Sequence, residues 1–327
     1  MSGKMWAAQN LFGAGSGGDE SRTLRLAAWI KGLTLEAVQQ MGSLELVPLR
    51  IERPTGERDV LLHEALAAGV FEIRERKGGV VGEVEAVNKG GQPVLILEGE
   101  TLVGCKQNRV VAASILVPPR ATVVVTVGCM ERGRWSERGG TFRAGGARMD
   151  PKLRRSTLLE MNVARLEHRE ARLDQSRLWQ DVDCRLSETG VRSASADYHR
   201  TVEQLAPDAA DSSRQFIPVR GQVGVVALWR GKLLGIEIAG HPDTWTSIAG
   251  RALPALVMAS DAADAHEGAR PPGEPRQTRE WLGALAGASV TSRPSRGTGL
   301  DLTIRGDRIE GAALWHDGRP LHLIAFE

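Results

Sequence analysis

The stretch Val94–Trp135 constrains the fold most, because apolar strand-like runs and costly polar side chains are packed more densely there than elsewhere in the chain. Val94–Leu97 and Val123–Val127 are short, continuous and rich in β-branched residues, and Val110–Val117 mixes apolar with small residues. Such runs predict strands buried on one or both faces. Polar groups crowd their ends: Glu98, Gly99 and Glu100 after the first, then Lys106, Gln107, Asn108 and Arg109, and finally Glu131, Arg134 and Trp135. An unpaired charge beside a core is costly, so these side chains must satisfy one another or bind something.

Two readings stay open. In the first, Glu98 or Glu100 pairs with Lys106 or Arg109, Gln107 and Asn108 close a turn, and the Gln107–Arg109 and Gly133–Trp135 blocks stiffen a scaffold. In the second, the varied donors and acceptors form a ligand pocket. Lys106 and Arg109 would then meet an anion and Arg134 would offer a planar fork to a phosphate. Gln107, Asn108 and Trp135 complete that binding set, and Glu98, Glu100 and Glu131 are the candidate bases or sugar-hydroxyl acceptors. Solvent access separates the two: heads sealed and mutually paired mean scaffold, and heads exposed in a cleft mean ligand.

Composition narrows the class. A chain of 327 residues has ample material for a core, and a formal net charge of +2 gives no global argument for nucleic acid. Cys105, Cys129 and Cys184 are odd in number and lack a CxxC pair, which predicts reduced thiols in a cytoplasmic protein and no structural zinc. Magnesium remains open, because Glu98 and Glu100 share one side if a strand continues through Gly99. The N-terminus lacks a signal-peptide apolar core, and no apolar run reaches a membrane span.

Taken in order, Gly/Ser-rich residues 1–22 read as a flexible segment, and 23–327 as one domain. Helices are expected around Leu24–Ile30, Thr34–Met41 and Leu61–Ala68. Asn88–Gly91 predicts a turn joining Val80–Val87 to Val94–Leu97 as a hairpin. Residues 132–155 read as an exposed basic Gly/Arg loop, Leu158–Leu186 as a long helix or two, and Pro242–Ala259 as a helix containing Pro254. Residues 262–277 read as a Pro/Gly-rich insertion. Val223–Leu228 with Leu233–Ile238 predicts a hairpin, and Leu300–Ile304, Ile309–Leu314 and Leu321–Phe326 predict three closing strands with an Asp317-Gly318 turn. The expected class is α+β: a β-rich core, sandwich- or barrel-like, with a long helix and several short helices packed on it.

The blocks His63–Gly69, Leu97–Arg109, Ser114–Pro119, Val127–Trp135 and Gly311–Phe326 together resemble a bacterial domain family named for association with ADP-ribosylglycohydrolases and rhodanese-phosphatases. The resemblance covers most of Leu44–Phe326. It implies a role near ADP-ribose, NAD or related nucleotides in a stress or conflict system, and brings no catalytic mechanism with it. The expected partner is a small phosphate-bearing ligand, with a homo-oligomer or protein partner as the alternative.

Overall fold

The computed structural model describes residues 16–76, 80–136, 138–170, 172–267 and 275–327. Helix α1 (Ser16–Lys31) precedes strands β1 (Thr34–Leu35), β2 (Gln39–Met41) and β3 (Leu44–Arg50). Strand β4 (Val60–Leu61) runs directly into α2 (Leu62–Ala67), followed by β5 (Phe71–Glu75) and β6 (Glu83–Asn88). Short strands come next, β7 (Val94–Ile96), β8 (Thr101–Cys105), β9 (Arg109–Val111) and β10 (Ile115–Val117), then the longer β11 (Thr122–Cys129) and β12 (Arg138–Ala144). Helices α3 (Pro151–Leu166), α4 (Gln175–Thr189) and α5 (His199–Ser213) lead to strands β13 (Gln222–Trp229) and β14 (Lys232–Ala239). Helices α6 (Pro242–Glu267) and α7 (Pro275–Gly287) precede β15 (Ser289–Pro294), β16 (Leu300–Arg305), β17 (Glu310–His316) and β18 (Arg319–Phe326).

Three sheets result among the described residues, so the class is α+β with a β-rich core. The largest has nine strands in the order β1-β3-β13-β14-β18-β17-β16-β15, with β2 also paired to β3. Strands β11-β6-β5-β12-β8-β9 close into a barrel, and β10-β7-β4 form a small third sheet. Helices cover both faces of the large sheet: Val225 and Ala227 of β13 pack with α6, while Val226 and Leu228 pack with α1 and α7. That double cover is why β13 reads as a continuous apolar run. The barrel interior holds Ile73, Val84, Leu102, Val111, Val127 and Phe142, closed by Leu62 and Ala65 of α2 and by Ile96 and Val117 of the small sheet. Each such side chain contributes roughly 1.5–3 kcal/mol on burial.

Helix ends follow local chemistry. Asp150 caps α3 by accepting from the Lys152 N–H, with Pro151 in the first turn, and Asp174 caps α4 by accepting from Ser176 and Arg177. The β13–β14 and β17–β18 hairpins form as the sequence predicts, the latter with Asp317 and Gly318 both at positive φ.

Elsewhere tertiary pairing overrides the local signal. Thr34–Met41 is not helical: β1 and β2 both pair with β3. Strands β6 and β7 are not a hairpin, because β6 pairs with β5 and β11 in the barrel while β7 pairs with β10 and β4. Asn88 turns the chain between them, its amide donating to Gln92 O, Val117 O and Pro118 O. Helix α1 begins at Ser16, inside the segment expected to be flexible, and Asp19 accepts from Ser292. Residues 1–15 lie outside the described residues, as do 268–274 of the expected insertion. Residues 132–155 are not one exposed loop: β12 occupies 138–144, α3 starts at Pro151, and Arg134, Arg148 and Arg154 are buried.

Candidate functional site

The strand ends singled out by sequence separate into two buried networks. In the first, Glu131 accepts from Arg134 Nε at 2.8 Å, from the Asn108 N–H at 3.3 Å and from Ser195 Oγ at 2.9 Å. Arg134 also donates to Cys105 O and Ser136 O, and Asn108 Nδ2 to Asp197 at 2.9 Å. Gln107 Nε2 donates to Glu131 O, and Arg109 reaches Gln107, Cys129 and, at 3.4 Å, Glu75. Gln107, Asn108, Arg109, Glu131 and Arg134 are all buried, forming a clasp that ties the β8–β9 turn to the Ser193–Asp197 loop. Of the residues that the sequence singles out here, Trp135 and Lys106 reach solvent; Trp135 is 55% exposed with Lys106 Nζ 5.7 Å from its ring centroid.

Glu98 and Glu100 enter different surroundings. Gly99, at φ +75°, turns the chain between them, and a Cβ there would meet Arg154 Nε at 2.9 Å. No strand continues through Gly99, so the two carboxylates do not form one chelating face. Glu100 is buried against Arg251 of α6 at 2.7 Å. Glu98 receives Arg154 Nε and Nη2 at 3.0 and 2.9 Å. The same Arg154 gives Nη1 to Glu237 of β14 at 2.8 Å, and Arg148 lies against both carboxylates. Two arginines therefore balance two glutamates where the barrel meets the large sheet. Among the described residues no three His, Cys, Asp or Glu side chains gather as a metal ion requires.

Sequence reasoning missed a further arrangement built on this charge pair. Val110–Val117, expected as one strand, breaks at Ala112–Ser114 because β9 belongs to the barrel and β10 to the small sheet. The break places Ser114 at the junction, where its Oγ accepts from the Glu98 N–H at 2.9 Å and stands 2.8 Å from His322 Nδ1. His322 Nε2 lies 2.9 Å from Glu237 Oε1. The β14–β18 register pairs Ala239 with His322 and Glu237 with Ile324, so Glu237 and His322 are diagonal neighbours on one face. With the Ser114 oxygen already accepting from Glu98, its proton is free for Nδ1, and Glu237 orients Nε2–H; the tautomer follows from the network. The available sequence signal was a lone Glu in Gly235–Ala239 and a lone His in Leu321–Phe326, each amid apolar residues of a buried strand.

Burial, reinforced by the charges of Arg148 and Arg154, holds His322 well below the ordinary histidine range; His63 and His199 are lowered too, first by burial. These imidazoles stay neutral in the folded chain while the unfolded chain takes up protons near pH 6.5. Stability is therefore present above that pH and falls as pH drops through it, by at most about 1.4 kcal/mol per pH unit for His322. Asp150, Asp197 and Asp301, raised by burial, act in the opposite sense at lower pH. The melting temperature should thus begin to decline as pH falls from ~6.5 to ~5.5. A melting temperature flat across that window in calorimetry would contradict the neutral, buried imidazoles.

Ser114 borders two spaces. The inner one, walled by Leu158, Met161, Ala312 and Leu314 with Arg165 and His322, has a volume of about 20 Å³, room for roughly one water-sized group. The outer groove, of about 230 Å³, shares Ser114, Met161, Arg165 and Asp301 and adds Arg169, Arg293 and Arg296 against Glu170. Four arginines thus face two carboxylates. Arg165 is buried, with Asp301 at 3.6 Å, while Arg296 pairs with Glu83 and Glu170, and Arg293 with His168. A larger apolar pocket of about 410 Å³ lies between Phe216–Gln222 and the start of α6, and its Arg214 is exposed and paired with Asp211. An open basin lies beside Arg251 and His63.

A closed barrel joined to a wide antiparallel sheet, with a buried charge network and a Ser–His–Glu array at the seam, defines the molecule as an α+β protein with one chemically equipped junction. The chain belongs to the ARPP-1 family, the ARG and Rhodanese-Phosphatase-superfamily-associated Protein domain, whose family model matches residues 32–326. No curated protein and no solved structure matches the chain. The family name records an association with ADP-ribosylglycohydrolase and rhodanese-phosphatase systems.

Proposed function

We propose that this protein binds a phosphate- or ribose-bearing metabolite related to ADP-ribose or NAD in the groove between barrel and sheet. The observation that carries this reading is the groove's charge: Arg165, Arg169, Arg293 and Arg296 against Glu170 and Asp301, converging beside the Ser114 hydroxyl. Arginine suits this task because its planar fork gives paired hydrogen bonds to phosphate oxygens. The family association with ADP-ribosylglycohydrolase systems supports the ligand class. Three free cysteines fit a cytoplasmic setting, and among the described residues no helix is long and apolar enough to cross a membrane.

In this reading the anion-binding role expected of Lys106, Arg109 and Arg134 passes to the groove arginines, and the Glu131–Arg134 clasp supports the fold. The sealing and mutual pairing of the clasp favour the scaffold reading for those residues alone.

Thermal-shift titration with ADP-ribose, NAD and inorganic phosphate tests the proposal. Ligand at about 100 times its dissociation constant stabilises by roughly 2.7 kcal/mol. The double variant Arg293→Glu/Arg296→Glu should weaken binding by about 10- to 100-fold, the scale of charge-assisted contacts to phosphate. Absence of any shift at millimolar ligand, or an equal shift in the double variant, would sink the reading.

A further inference from the structure

We propose that Ser114, His322 and Glu237 form a nucleophilic relay that hydrolyses a short-chain carboxylic ester carried by the phosphate-bearing ligand. The inference rests on the groove reading for the ligand's charged part, and on separate geometry for the reaction. Ser114 Oγ stands 2.8 Å from His322 Nδ1, and His322 Nε2 stands 2.9 Å from Glu237 Oε1. A hydroxyl, a base and a group orienting the base thus lie in sequence at hydrogen-bond distance, as an activated serine requires. In the serine proteases Nε2 faces the serine and Nδ1 the carboxylate. Here the ring is turned, and either nitrogen serves, since neutral imidazole has one donor and one acceptor whose identity its partners select.

Three further observations distinguish this array from a merely buried hydrogen-bonded histidine. Ser114 is only partly buried and borders both the inner space and the groove. The Glu98 N–H occupies one lone pair of Oγ, which leaves the hydroxyl proton to point at His322. Arg165 shares the walls of both spaces with Ser114 and is buried, with Asp301 at 3.6 Å, so a cationic side chain borders the space in which an oxyanion on Ser114 would form.

The chemistry balances within the site. Oγ of Ser114 bonds to the ester carbonyl carbon as its proton passes to Nδ1; the bond from that carbon to the alcohol oxygen then breaks, and the proton follows the departing alkoxide. The acyl group remains on Ser114. Water next adds to the acyl carbon and gives its proton to Nδ1; the bond to Oγ breaks, the proton returns to Oγ, and a carboxylic acid leaves. Size selects the acyl part. The inner space of about 20 Å³, walled by Leu158, Met161 and Ala312, has room for one small terminal group, the methyl of an acetyl, while the acyl carbon stays at Ser114 and the phosphate-bearing alcohol extends into the groove toward Arg169, Arg293 and Arg296.

The test uses p-nitrophenyl acetate, which has no phosphate and so reads the relay apart from Arg169, Arg293 and Arg296, and a fluorophosphonate probe with peptide mapping of the intact wild-type chain. The expected results are phosphonylation at Ser114 and at least a 100-fold loss of acetate turnover in Ser114→Ala, measured on the folded fraction. Hydrolysis of p-nitrophenyl hexanoate should be at least 10-fold slower than that of the acetate. Wild-type probe attachment elsewhere, no attachment, or acetate turnover within twofold in Ser114→Ala would overturn the relay; faster hexanoate turnover would overturn the acyl assignment. The ADP-ribose thermal shift reports on the groove independently, so failure of one reading leaves the other measurable.

Discussion

Replacing Arg148 with methionine should lower the melting temperature by about 6–10 °C, from a loss of roughly 3–5 kcal/mol at about 2 °C per kcal/mol for a chain of this size. Arg148 is fully buried and lies against the carboxylates of Glu98 and Glu237, and it also donates to the Glu98 backbone carbonyl. Burial, followed by the neighbouring charge of Arg154, pushes its pKa down to about 9, the direction expected of a guanidinium removed from water. Methionine fills similar volume but leaves Arg154 as the one guanidinium between two carboxylates, with the neutral His322 still bonded to Glu237. The cost is that of an uncompensated buried charge rather than the net worth of the pair. Adding Glu237→Gln to Arg148→Met should therefore recover part of the loss, with a coupling of about 1–3 kcal/mol in denaturant melts. A single variant that loses under about 1 kcal/mol would mean that water reaches the network.

The same network shows why the seam was hard to read in the sequence. Arg148 and Arg154 read as part of a basic loop because their partners are remote: Glu98 lies 50 and 56 positions away, and Glu237 83 positions from Arg154. Ser114 and His322 are 208 positions apart. Periodicity and turn signals act over a few residues, so they recovered what is local, namely the β13–β14 and β17–β18 hairpins and the apolar faces of α3 and α4. They failed where distant strands choose the partner. The turn at Asn88 was recognised, but the chain leaving it joins a different sheet, and the apolar run to Val117 hid the break that exposes Ser114. The polar density of Val94–Trp135 was visible as a concentration of buried hydrogen-bonding groups; its division into a sealed clasp and a charged seam depends on Gly99 turning Glu98 and Glu100 apart.

Arg134→Lys should destabilise the protein nearly as much as Arg134→Met, by about 2–4 kcal/mol, although it keeps the charge. Arg134 holds Glu131 through Nε at 2.8 Å and Nη2 at 2.6 Å, and reaches Cys105 O, Ser136 O and Asn108 Oδ1 with the rest of its fork. A lysine ammonium is one compact centre on a flexible stem, so it can meet Glu131 or the carbonyls of the β8–β9 turn but not both sets together. The unmet acceptors are buried, and each costs about 1–3 kcal/mol when left without a donor. Loss should appear first where the clasp joins elements: the Asn108–Asp197 contact and the Glu131–Asp197 bridge hold the loop leading into α5, so amide exchange should quicken across Ser193–Tyr198 before the barrel strands respond. Ligand shifts measured on the folded fraction should stay unchanged, because Arg134 does not line the groove. Loss of ligand binding in Arg134→Lys with an unaltered melting temperature would reverse the assignment and return Arg134 to the role of phosphate fork.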